Sequence, residues 1–241
     1  LVIGGTRGIG RAVVRTMAAA DHVVSVIGRS APSESDRNIP GVRHWLVDLL
    51  AVEELATTCS EIIREHGQVN HLVFLQRYRG KNDGWVGDIE TSLTATKNVI
   101  EWMEGKFADS IQNSIVIVSS IASQFIADEQ PLSYHVAKAG LNQMVRYYAV
   151  TLGAQGIRVN SISPGTVIKD ESTNYYRENT RLSELYKRII PLGRMGTSDD
   201  VAGVVAFLCS PQSSFISGQN IVLDGGVSLI GQEALARALT P

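Results

Sequence analysis

Cysteine is scarce in this chain: Cys59 and Cys209 are the two residues of that type in 241. Both sit in apolar helical contexts without the spacing of metal ligands, so no metal site is expected, and reduced thiols in a cytoplasmic protein are. Positive charge is not in excess either. Lys and Arg number 22 against 24 Asp and Glu, a formal net charge of −2, which argues against nucleic acid as a partner. No apolar run approaches the roughly 18 residues that a membrane-spanning helix needs, so no membrane partner is expected. Low-complexity tracts, internal repeats and linkers are lacking, and 44% hydrophobic residues suit one substantial core. A single domain over residues 1–241 follows. The chain opens on Leu1-Val2-Ile3 without methionine or a visible signal peptide, and its first strand is expected to begin upstream.

What the chain does contain is alternation. Short β-branched runs near residues 1–3, 22–27, 42–47, 71–75, 114–119, 157–162 and 219–223 read as strands. Helical patterns lie between them near 8–20, 51–66, 88–107, 133–153 and 198–209. Strands that are apolar on both faces, each followed by a helix, predict an α/β doubly wound parallel sheet of about seven strands covered on both sides. Residues 165–195 are polar and rich in turn formers, with a short helix around 181–189, and are expected to form a mobile substrate lid.

The segment Gly4-Gly5-Thr6-Arg7-Gly8-Ile9-Gly10 leaves the first strand and enters the first helix. Glycines there allow a tight turn and close approach of backbone to a pyrophosphate seated on the helix N-terminus. The second strand then ends in Val26-Ile27-Gly28-Arg29-Ser30, without the acid that accepts from the ribose 2′-hydroxyl of NAD. Arg29 and Arg7 match a 2′-phosphate instead, so NADP (NADPH) is the expected cofactor; the other reading is two solvated arginines.

Downstream, the strand Ile115-Val116-Ile117-Val118 ends in Ser119-Ser120, and the next helix carries Tyr134 and Lys138. Four residues apart, phenol and ammonium share one helix face. A phenol alone is a poor acid or base near pH 7, whereas a neighbouring cation favours the phenolate and a nearby hydroxyl can hold a substrate oxygen. The plainer reading is an amphipathic helix with a surface lysine.

In their order and spacing these pieces resemble the short-chain dehydrogenase/reductase family, specifically the single-domain branch that includes the ketoacyl-carrier-protein reductases. The resemblance covers nearly the whole chain. It adds Asp48-Leu49 after the third strand, Asn160 and Pro164-Gly165 around the sixth, Pro191-Leu192-Gly193-Arg194, Ser217-Gly218-Gln219 and Asp224-Gly225-Gly226. It implies a Rossmann-type fold and hydride transfer between nicotinamide and a carbonyl or secondary alcohol. Ser120 would hold the substrate oxygen, with Ser119 its rival. Tyr134 would exchange the proton, and Lys138 would favour its phenolate and hold the nicotinamide ribose. Further cofactor contacts would come from Gly4, Thr6, Arg7, Gly8, Ile9, Gly10, Arg29, Ser30, Asp48, Leu49, Leu75, Pro164, Gly165 and Val167, with Asp48 on the adenine. A homodimer or homotetramer built on the helices near 88–107 and 133–153 is implied as well.

Three departures stand out. The family's Asn-Asn-Ala-Gly is replaced by Phe74-Leu75-Gln76-Arg77, which should alter one wall of the cleft. The asparagine that holds a water in the proton relay aligns with Ser92, a shorter side chain that can still bond water. A threonine expected after Pro-Gly is Lys169. The basic loop Gln76-Arg77-Tyr78-Arg79-Gly80-Lys81 should emerge at the ligand edge of the sheet, where it could receive an anionic group of the substrate or be a solvated loop. The altered wall and Ser92 also fit a second function, an NADP-binding protein with little redox turnover that serves as a sensor or assembly partner. A scaffold that binds no nucleotide is a third.

Overall fold

The computed structural model describes residues 1–80, 83–110 and 112–240; Lys81 of the basic loop lies outside the described residues. Its main sheet is built from β1 (Val2–Ile3), β2 (Val24–Gly28), β3 (Val42–Leu46), β4 (His71–Phe74), β5 (Ser114–Val118), β6 (Arg158–Pro164) and β9 (Asn220–Leu223). All pairings are parallel, in the order β3-β2-β1-β4-β5-β6-β9. The order reverses between β1 and β4, and a ligand crevice opens outside the carboxyl ends of strands at such a switch point. A two-stranded parallel pair, β7 (Val167–Ile168) with β8 (Gly196–Thr197), closes off the long insertion after β6.

The period-2 alternation of strand side chains assigns each residue to a face. Ile3, Ile27, Phe74, Ile115 and Ile117 pack on one side with α2 (Val52–His66), α4 (Ala95–Met103) and α5 (Leu132–Thr151). Val2, Val26, Val73, Val116 and Ile162 face α1 (Gly8–Ala19) and α8 (Ser198–Cys209) on the other. Each of these apolar side chains contributes about 1.5–3 kcal/mol when fully buried, so the central strands are fixed in register from both faces. The outer strand β3 departs from the expected double burial, with Arg43 exposed and His44 and Trp45 half-buried, because an edge strand has no neighbour beyond it.

The helix expected over 88–107 is interrupted. It is resolved into α3 (Gly84–Asp88), a π-helical turn over Ile89–Thr94, and α4. Asp83 caps α3 by accepting from Trp85 N at 2.8 Å and Val86 N at 3.4 Å. The wide turn carries the buried Ser92; single π turns inside helices are frequent at functional sites. The insertion 165–195 contains α6 (Thr173–Glu178), absent from the sequence reading, and α7 (Thr180–Ile189), which was legible. The terminal α9 (Gln232–Leu239) lies against this insertion, where the Arg188 guanidinium donates to Ala238 O at 2.6 Å and Thr240 O at 3.0 Å. Cys59 and Cys209 are buried free thiols. Among the described residues, no helix is long and apolar enough to cross a membrane, and no group of His, Cys, Asp and Glu is placed to hold a metal ion.

Candidate active site at the sheet's carboxyl edge

The turn from β1 into α1 is a close-packed cradle. Gly4 has φ 85°, and a Cβ added there would stand 2.7 Å from Gln76 N; one added at Gly10 would stand 2.1 Å from Gly4 O. No side chain larger than hydrogen fits at either place, so the backbone is kept open at the head of α1. Beside it, one cavity of about 300 Å³ gathers Gly4, Thr6, Arg7, Arg29, Ser30, Asp48, Leu49 and Leu75, eight of the residues expected to hold the cofactor. Asp48 lies 3.8 Å from Arg29, both half-exposed, and its Oδ1 accepts from Leu50 N at 3.1 Å. Gln76 lines the same cavity. Its amide nitrogen donates to Thr96 Oγ1 at 2.7 Å, while its buried Oε1 has no partner among the described residues and can accept a ligand's donor. The cradle, the helix head, the arginine at the end of β2 and this orphaned acceptor together fit a dinucleotide.

The catalytic candidates lie at the end of β5 and on the first turns of α5. Lys138 is buried, and its Nζ donates to Val118 O at 3.0 Å. Burial, followed by the nearby Arg77 guanidinium, brings its pKa down from 10.5 to about 8, against an opposing pull from Asp88. The ammonium is 5.6 Å from the centroid of the half-buried Tyr134 ring. The two adjacent serines are distinguished by their bonds. Ser119 is buried, and its hydroxyl donates to Lys138 O at 3.0 Å, tying β5 to α5. Ser120 is less buried, and its Oγ accepts from Ala122 N at 3.2 Å as the cap of a short turn, which leaves its O–H to donate to a ligand. That turn is held to α5 by Asn142, whose Nδ2 donates to Ser123 Oγ at 2.8 Å.

The remaining resemblance motifs brace the site. Asn160 donates to Ile216 O at 2.8 Å and accepts from Gln219 N at 3.0 Å, joining β6 to the approach of β9. Pro164-Gly165 ends β6 so close to β9 that a Cβ at Gly165 would stand 2.8 Å from Asp224 Cβ. Arg194 grips Asp200 through both guanidinium nitrogens at 2.6 and 2.8 Å, and Thr197 and Asp200 form a reciprocal cap at the head of α8. This pairing holds the Asp200 carboxyl well below the usual carboxylate range. Val167, at the start of β7, is partly buried beside the core under α8.

The altered segment after β4 divides in two. Phe74 turns into the core and forms no part of the cleft wall, whereas Leu75, Gln76 and Arg77 line it. The Tyr78 ring occupies the space that Cβ atoms at Gly80 and Gly87 would fill, 2.2 Å from each, and so pins the loop on α3. On either side of it, Arg77 and Arg79 line the cofactor cavity. The Arg77 guanidinium lies 4.6 Å from the Tyr134 ring centroid and donates to Gln130 Oε1.

The insertion after β6 brings in two residues that sequence reasoning did not assign. Gly8 N, at the head of α1, donates to Glu171 Oε1 at 3.1 Å. Arg11, one turn into α1, holds Glu171 Oε1 at 3.1 Å and Asp170 Oδ2 at 2.8 Å. A carboxylate of the chain itself thus sits where a helix N-terminus attracts anions. The adjacent Asp170-Glu171 pair beside the expected threonine position was the available signal. Lys169 lies with its stem 3.2 Å from where a Gly8 Cβ would be, and burial together with Arg77 and Arg79 lowers its proton affinity.

The profile of the family described as Enoyl-(Acyl carrier protein) reductase matches residues 4–228. The chain is 31% identical over 244 residues to the 3-oxoacyl-[acyl-carrier-protein] reductase FabG of Aquifex aeolicus, covering 94% of this chain and 96% of that one. The chain belongs to the short-chain dehydrogenase/reductase family. Other relatives of this short-chain dehydrogenase/reductase include the FabG of Thermotoga maritima, 28% identical over 242 residues (94% of this chain, 96% of the relative), and the isoepoxydon dehydrogenase patN of Penicillium expansum, 27% over 241 (94% and 93%). Solved structures share the fold. The aldohexose dehydrogenase of Thermoplasma acidophilum superposes with a TM-score of 0.83 at 22% identity over 96% of this chain and 94% of that one. A short-chain dehydrogenase/reductase of Serratia marcescens gives 0.81 at 22%, over 94% and 96%.

Proposed function

We propose that this protein is an NADP-dependent oxidoreductase that exchanges hydride between the nicotinamide and a carbonyl or secondary alcohol, with Ser120, Tyr134 and Lys138 as its catalytic residues. The observation that carries the reading is the buried Lys138 ammonium beside the Tyr134 ring, at the end of the strand that delivers Ser120. A cation without a carboxylate bonded to it in a low-dielectric site is costly unless it serves a ligand or a neighbour. When bound, the cofactor supplies the hydride donor or acceptor. Ser120 Oγ donates to the substrate oxygen and fixes its position. Tyr134 Oη gives that oxygen its proton in reduction and takes it back in oxidation, and Lys138 stabilises the phenolate between the two. Ser92, buried in the π turn, relays a water toward this pair. Arg29 and Arg7 receive the 2′-phosphate, and the head of α1 receives the pyrophosphate. The protein works in the cytoplasm as a homo-oligomer over α4 and α5, where Tyr147 and Val150 stand exposed on α5.

A second reading, cofactor binding with little turnover, draws support from Glu171 on Gly8 and from the charged wall after β4. Calorimetry with NADPH and NADH, followed by a carbonyl panel read by cofactor absorbance, decides between them. NADPH should bind more tightly, and Tyr134→Phe should leave its affinity unchanged while turnover falls by about 10²-fold or more. Equal affinities would sink the NADP assignment. A protein that binds NADPH, reduces nothing, and is indistinguishable from its Tyr134→Phe variant would establish the second reading.

A further inference from the structure

Arg77 borders more than the dinucleotide cavity. Its guanidinium covers the face of the Tyr134 ring at 4.6 Å, and its bond to Gln130 reaches the segment between Ser120 and Tyr134 that borders the reacting centre. Arg79 stands on the same wall, and Lys169 faces both across a cavity of about 490 Å³. Of the acids nearby, Glu171 lines this cavity too but is shared with Gly8 N and Arg11, and Asp88 accepts from the Ser133 hydroxyl at 2.7 Å. Positive charge from three cations therefore accumulates beside the phenol, with Glu171 as a counter-charge that Arg11 shares. Arg77 presents a planar guanidinium fork that matches a carboxylate.

We propose that Arg77 is a specificity-determining residue, and that the substrate is an oxo acid or hydroxy acid whose carboxylate is attached to the reacting carbon directly or through one methylene. With the substrate oxygen on Tyr134 and Ser120, a carboxylate that close to the carbonyl lies on the side of the site that Arg77 borders, and Arg79 and Lys169 add attraction. This rests on the oxidoreductase reading for the position of the carbonyl. The rival occupant is the cofactor's own pyrophosphate, since Arg77 also lines the cofactor cavity.

The experiment is a binding measurement on the full chain in unreactive complexes with oxidised cofactor. Pyruvate, 2-oxobutyrate and acetoacetate are each compared with their methyl esters, in the unaltered protein and in Arg77→Ala, Arg77→Lys and Arg79→Ala; cofactor affinity is titrated separately. At least one acid should bind about tenfold or more tightly than its ester, as a charge-assisted bond would give. Arg77→Ala should erase that ratio whatever it does to the separately titrated cofactor affinity, and Arg77→Lys should retain part of it. Acids and esters bound alike by the unaltered protein, or not bound at all, would overturn the proposal. So would Arg77→Ala weakening the cofactor with the acid-to-ester ratio intact, because the arginine would then serve the pyrophosphate. If no cofactor binds but an Arg77-dependent acid preference persists, the anion site stands and the oxidoreductase reading falls.

Discussion

Replacing Lys138 by methionine should make the unliganded protein more stable at neutral pH while destroying its activity. The lysine is an ammonium held in the core by one carbonyl, Val118 O, at 3.0 Å. Its pKa falls from 10.5 to about 8 on folding, mainly through burial. At about 1.4 kcal/mol per pH unit, carrying that charge costs the folded state about 3 kcal/mol wherever both states are protonated. Methionine keeps an unbranched stem of similar length and removes the charge, but leaves Val118 O without its donor, a loss of about 1 kcal/mol. The net gain at pH 7 is about 2 kcal/mol, and for a domain of this size that raises the melting temperature by about 4–8 °C.

The sign then reverses with pH. Below pH 8 both folded and unfolded lysine carry the proton, and the full burial cost is present. Between 8 and 10.5 the folded state has lost its proton while the unfolded chain keeps it, so the natural protein gains stability as pH rises through that window. Above 10.5 the burial cost is gone, and Lys138→Met should be the less stable of the two by about 1 kcal/mol, the value of the lost bond. Chemical denaturation of both proteins from pH 7 to 10.5, without cofactor, measures the difference directly, because other groups that titrate there cancel. A variant that is less stable at pH 7, or a difference that stays constant across the range, would refute the picture of a buried charge kept for function.

Two further outcomes follow from the same site. Glu171→Ala removes the carboxylate from Gly8 N at the head of α1, and the NADPH dissociation constant read by calorimetry should fall by about three- to tenfold, the value of one charged hydrogen bond at a half-exposed position; an unchanged or weaker affinity would mean that Glu171 does not compete with the pyrophosphate. Ser92→Asn should raise turnover and shrink the solvent deuterium isotope effect by restoring reach to the relay water, and a silent replacement would show that protons arrive by another path.

The fold was legible because burial on both faces leaves a strong trace in each strand. Ile115-Val116-Ile117-Val118 sends its side chains alternately to two cores, so it had to be apolar throughout. The glycine turn was equally readable, since Gly4 and Gly10 admit no Cβ. Tyr134 and Lys138 share a face by helical periodicity alone, and the structure puts the ammonium 5.6 Å from the ring. Long-range contacts between irregular segments were not readable. Glu171 meets Gly8 across 163 residues, and no periodicity links a turn after β6 to the head of α1. The interrupted helix around Ser92 escaped for a related reason: buried positions recur every four residues from Gly87 to Ile100, straight through the wide turn, and only the backbone bonding changes. The resemblance places Phe74 on the cleft, whereas in strand register with Ile117 it belongs to the core.

Arg77 and Lys169 are best understood as one change. By the resemblance each stands where a smaller neutral residue is expected, and each is among the causes that lower the proton affinity of a neighbouring lysine: Arg77 acts on both Lys138 and Lys169, and Lys169 acts on Lys138. Added to a neutral cleft one at a time, either would work against the ammonium that the phenol needs. They become tolerable when negative charge enters between them. In the free protein Glu171 supplies part of it, two residues on from Lys169, which it also attracts. An entering anion relieves repulsion among Arg77, Arg79, Lys138 and Lys169 together, so its gain exceeds that of a single ion pair, while a neutral ligand relieves none of it. On the proposed reading, the residues that depart most from the expected pattern are therefore the ones that most narrow the chemistry of what the cleft can hold.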